Sequence, residues 1–153
     1  MHYLVRILSY GENREEARTH ALAYADRLVE QEEFDYYSPE GARTYRLTSA
    51  LGQKAVEGAL ASNRRDFNLA MQAVRLMLQA FTDDQIYQDS FPQEPRDYYA
   101  SRWQFSQVGA GHSYIYGDGD IWGEAIRNEQ DFKAATETVF HDNLWVTSMD
   151  FHN

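Results

Sequence analysis

Residues 66–81, DFNLAMQAVRLMLQAF, set the terms for the rest of the chain. Phe67, Ala70, Met71, Val74, Met77, Leu78 and Phe81 recur at the spacing of one helical face, and Leu69, Ala73, Leu76 and Ala80 form a second apolar row. Beyond Asp66, only Asn68, Gln72, Arg75 and Gln79 are left for a polar stripe. A helix with so narrow a wet face needs cover on most sides, because otherwise it presents a wide apolar patch to water. Asn63 and Asp66 suit its start, Asn accepting from a free backbone N–H and Asp facing the positive end of the helix dipole. The spacing predicts a central buried helix over about 66–81.

Upstream, Thr48–Ala61 reads as a second helix with the small residues Gly52, Ala55 and Ala59 on one side, which allow close backbone approach. The polar link Ser62-Asn-Arg-Arg65 then predicts an antiparallel helical hairpin. Nearer the start, Tyr3–Ser9 is rich in β-formers with one charge, Arg6, and predicts a strand buried on most of both faces. Asn13 with Glu16 forms a capping-box pattern, and Ala17, Ala21, Tyr24 and Leu28 continue it as an amphipathic helix to about Gln31. Over 34–47, Ser38-Pro-Glu-Gly41 has the residues of a tight turn and predicts a hairpin; the competing reading places Ser38 as an N-cap and Pro39 as the first residue of a helix.

Thr82–Asp97 changes character, with two prolines, five acidic residues and few apolar anchors, and predicts a long loop opening on a brief helical turn at Asp83-Asp84. The final third is β-rich. Tyr98–Val108 alternates, Gly109-Ala-Gly111 interrupts as a bulge or bend, and Gly117-Asp-Gly-Asp120 predicts a hairpin turn between 113–116 and 121–126. Asn128 and Asp131 predict a helix start running to Phe140. Leu144–Phe151 is a strand with Trp145, Thr147, Met149 and Phe151 on one face and Leu144, Val146 and Ser148 on the other. The sum is a single α+β domain over 1–153, with a mainly antiparallel sheet and helices packed on one face.

A chain of 153 residues can bury roughly 68–70% of its unfolded surface as one domain, so stability needs no cofactor. With no cysteine, disulfides, thiol catalysis and Cys-ligated zinc are excluded. The HYLVRILSY opening lacks the pattern of a secretory signal, and no run reaches the roughly 18–20 apolar residues of a membrane span. A cytoplasmic protein without a membrane partner is expected. The net charge of −10 repels phosphate backbones and argues against nucleic-acid binding. Lys54 and Lys133 are the sole lysines among 14 basic residues; an acidic, lysine-poor surface suits high salt, and an arginine-biased genome would produce the same ratio.

No motif assigns a chemistry. His2, His20, His112, His141 and His152 form no HxxxH or HExxH pair. His141-Asp142 and Asp150-x-His152 flank the last strand and would need His112 to complete a ligand set, so neither metal nor cofactor is expected. Gly117–Asp120 is followed at once by Ile121-Trp122 and lacks the ligand run of a calcium loop. No GxSxG elbow or P-loop order is present. What stands out is the aromatic content, with 11 tyrosines, and the placing of Tyr36-Tyr37, Tyr98-Tyr99, Trp103, Tyr114, Tyr116, Trp122 and Trp145 on predicted strands. Neighbours on a strand face opposite ways, so a one-sided sheet leaves some of these rings for contact with something else.

The best expectation is therefore a non-catalytic protein-interaction domain using an aromatic sheet face and the 82–97 loop, with a protein partner or a second copy. The alternative is a small-ligand domain or small enzyme with a pocket lined by Trp103, Tyr114, Tyr116 and Trp122, with Arg102, His112 and Glu124 as polar groups. A nucleic-acid mimic would need its carboxylates on one face, whereas arginines interleave them along the chain.

Overall fold

A computed structural model of the chain describes residues 2–88, 113–119, 121–137 and 141–153. It is an α+β fold built on one four-stranded sheet of order β2-β4-β1-β3. The strands are β1 (His2–Tyr10), β2 (Tyr36–Arg46), β3 (Ile115–Gly117) and β4 (Leu144–His152), and the helices are α1 (Arg14–Glu30), α2 (Ala50–Ala80), α3 (Asp83–Gln88) and α4 (Glu129–Glu137). β4 pairs antiparallel with both β1 and β2, while β3 runs parallel to β1, so the sheet is mixed but mainly antiparallel.

The chain forms two compact units, Met1–Asn63 with Ser113–Asn153, and Arg64–His112. In the first, β1 and β4 are the inner strands, and both bury apolar residues on their two faces. Alternate residues feed two cores. Val5, Ile7, Met149 and Phe151 pack with Ala21, Tyr24, Ala25 and Leu28 of α1. Leu8, Leu144 and Val146 pack on the other side with Val56 and Ala59 of α2 and Ala135 of α4. Helices thus cover both faces rather than one. The cause is that β1 and β4 place apolar residues on both faces, Val5, Ile7, Met149 and Phe151 on one and Leu8, Leu144 and Val146 on the other.

Local chemistry explains the elements. Asn13 Oδ1 accepts from Glu16 N–H at 3.0 Å, and Glu16 Oε2 accepts from Glu12 N–H at 2.8 Å, a reciprocal cap for α1. Asn128 Oδ1 accepts from the N–H groups of Gln130 and Asp131, capping α4 as its sequence suggests. Gly11 sits where a Cβ would meet Ala17 N at 2.4 Å, so the β1–α1 corner admits no side chain.

Two local expectations change. Residues 34–47 are not a hairpin: both halves of β2 pair with β4, and between Ser38↔Asp150 and Arg43↔Ser148 the surplus residues bulge out. Pro39 and Gly41 therefore interrupt an edge strand, where a missing donor does no harm. Nor do 48–81 form a helical hairpin; α2 runs unbroken for 31 residues. Ser62-Asn-Arg-Arg65 contains no Gly or Pro, Ser62 Oγ donates back to Gly58 O at 3.0 Å, and the Asn63 side chain is engaged by β3 and its surroundings instead of capping a new helix.

In the second unit, α2 buries a single stripe, Ala70, Ala73, Val74 and Met77. Phe67, Leu69, Leu76 and Leu78 are exposed, so 66–80 form a helix without the cover on most sides that the sequence expects. α3 realises the helical turn expected at Asp83-Asp84 and has no buried residue. The expected strand at 98–108, the Gly109–Gly111 bend and residues 89–97 of the expected loop lie outside the described residues.

Candidate functional site

The aromatic residues singled out by the sequence are mostly structural where they are described. Tyr116 on β3 is buried between Phe34 and Tyr24, with ring centroids 6.3 Å from each, and its hydroxyl accepts from Ser113 N–H at 3.2 Å. Burial pushes this phenol well above its ordinary range. Tyr114 and Trp122 are half-buried against the α2-side core, whereas Tyr116 belongs to the α1-side core. Glu124 is exposed, and its carbonyl accepts from Gly117 N–H. Arg102, Trp103 and His112 lie outside the described residues.

The hairpin expected between 113–116 and 121–126 forms only in part: Ile121 N–H donates to Asp118 O at 2.7 Å and Tyr116 makes an isolated antiparallel bridge with Ala125, but 121–126 form no strand and β3 pairs in parallel with β1 instead. The Asp118 carboxylate is held by Arg27 Nη2 at 2.6 Å and by Gly119 N–H, which fastens the turn to α1. That accounts for Asp118 without a bound cation.

An open groove of about 290 Å³ lies along α2 and α4, walled by Leu47, Val56, Leu60 and Phe132 with Gln53 and Glu57. Among the described residues of its wall Glu57 is the one ionisable group, and Thr48 and Thr136 bring hydroxyls.

Two other features of the surface bear on function. The first is the exposed apolar set on the second half of α2. Leu69 and Leu76 stand one heptad apart on one flank of the buried stripe, and Phe67 and Leu78 stand on the other. Tyr87 on α3 is 89% exposed. Basic Arg64 and Arg65 precede this set and acidic Asp83 and Asp84 follow it. The sequence expects these leucines to be covered within the chain; in the structure each is half or more exposed.

The second is a polar cluster at the open end of the sheet. The register places His2 opposite His152, and Tyr36 opposite His152 on its other side. Asp150 is two residues from His152 and shares its face. His2 Nδ1 lies 3.0 Å from Asp150 Oδ2, and His152 Nε2 lies 3.3 Å from the same oxygen. The Tyr36 ring stacks on the His152 imidazole at 4.3 Å and 7°. Sequence reading found the Asp150-x-His152 pair but not His2, which joins them only through the β1–β4 pairing.

No family model, curated protein or solved structure matches the chain.

Proposed function

We propose that the protein is a non-catalytic interaction module that self-associates through the second half of α2 and the segment that follows it. The observation that carries this reading is the exposure of Leu69 and Leu76, one heptad apart on one flank of α2. Leu69 and Leu76 are 50% and 64% exposed, so covering them recovers part of the roughly 1.5–3 kcal/mol that fully burying each is worth, a drive toward a covering surface. A second copy is the occupant favoured by the charge order. In an antiparallel two-fold pairing, Arg64 and Arg65 of one copy face Asp83 and Asp84 of the other, and Leu69 meets Leu76.

Sedimentation equilibrium tests the reading. The parent chain is expected to be a dimer at micromolar concentration and the Leu69→Glu/Leu76→Glu variant a monomer with unchanged helical circular dichroism. A parent that stays monomeric at a hundred micromolar and beyond would sink the proposal.

A further inference from the structure

We infer that His2, Asp150 and His152 form a binding site for one divalent transition-metal ion of the zinc class. Three donor atoms from two adjacent strands converge on one point: an imidazole nitrogen of His2, a carboxylate oxygen of Asp150 and an imidazole nitrogen of His152 all lie within 4.8 Å of one another. Tetrahedral donors about 2.0–2.1 Å from a zinc ion stand about 3.3–3.4 Å apart. The nitrogen–oxygen separations here, 3.0 and 3.3 Å, are already close to that edge length. Two imidazoles and one carboxylate are the donor set that zinc accepts in open sites, where water takes the remaining position.

The site is built on rigid parts. His152 lies on β4, held between β1 and β2, and only 14% of its side chain is exposed. Its ring is oriented by the Tyr36 stack on one side and meets the His2 ring edge-on, with centroids 4.2 Å apart. His2 is the exposed member, with 73% of its side chain accessible, and leaves a path from solvent. A fixed donor, a carboxylate shared by both imidazoles and an open approach are the parts that a metal site requires. The net charge of −10 adds a general attraction for cations.

The test is calorimetric titration of the full untagged chain with zinc ion, after stripping with a chelator, together with cobalt ion as a spectroscopic probe. One ion per chain and the intense visible bands of four-coordinate cobalt are expected. His2→Ala removes an exposed side chain and leaves the fold intact, and Asp150→Asn keeps the shape of the carboxylate; each should weaken zinc binding by at least about 10-fold. His20→Ala, whose imidazole meets Tyr10 O on a different part of the surface, should leave binding unchanged. Absence of zinc binding by the parent, or an affinity in His2→Ala and Asp150→Asn equal to the parent's, would overturn the assignment. The self-association reading stands or falls separately, because none of these residues lies in 64–88.

Discussion

Asn63 Oδ1 accepts the backbone N–H of Tyr114 at 2.9 Å, joining the middle of α2 to the chain entering β3. Asn63 Nδ2 donates to the carbonyl of Ile126 at 3.0 Å and also reaches Ser113 Oγ. One amide therefore satisfies backbone groups from both sides of the Gly117 turn. Asn63→Leu would remove the side-chain acceptor of Tyr114 N–H and one of the two side-chain donors to Ile126 O, which keeps Ser113 Oγ at 2.7 Å, for a cost of about 1–3 kcal/mol. Urea denaturation should show a midpoint shift with little change in slope, and an unshifted midpoint would remove Asn63 from this role.

Gly52 is required by a close approach at the start of α2. A Cβ there would meet Arg46 O at 2.1 Å, a backbone atom that cannot swing away. Although alanine is the better helix former, Gly52→Ala should destabilise by about 1–3 kcal/mol through overpacking. Thermal unfolding checks the sign: a raised Tm would mean that helix propensity outweighs the clash.

The Tyr37 phenol is pushed up to about 12 by burial and by its 2.7 Å hydrogen bond to Asp26 Oδ1. The ordinary value of about 10 applies to the unfolded chain. A proton held more tightly in the folded state contributes stability that is complete below about pH 10 and is lost as pH rises toward 12. Tyr37→Phe should flatten the fall in stability across that window. Denaturant midpoints measured from pH 9 to pH 12 would show it, and an unchanged slope would count against the Asp26 contact.

Salt should strengthen self-association. Two copies at −10 each repel at long range, and that repulsion fades as the Debye length shortens from about 30 Å at 0.01 M to about 8 Å at 0.15 M. The Arg–Asp contacts expected across an antiparallel pair weaken too, but exposed ion pairs are each worth only about 0–1 kcal/mol. Sedimentation across this range should show the dimer fraction rising. A falling fraction would mean that the contact is held by ion pairs rather than by the leucines.

Much of the architecture was legible in the residues themselves. The alternation in 144–151 assigned Met149 and Phe151 to one side and Leu144 and Val146 to the other, and the two cores divide along that line. The caps at Asn13 and Asn128 were readable because each satisfies backbone donors within four residues. The hairpin expected at 34–47 was a local inference from Pro39 and Gly41. Turn residues also suit a bulge, and the choice rested on β4 offering a partner to both halves.

Sequence by itself determined the α+β class, the strands at both ends of the described chain and the helical character of 66–80, because periodicity and capping are properties of neighbours. Tertiary structure alone decided the continuity of α2 through Asn63, the exposure of Leu69 and Leu76, and the meeting of His2 with His152 across 150 positions of chain. These depend on which strand edges and helix faces find partners. That outcome is set by long-range pairing and burial, and no local pattern encodes it.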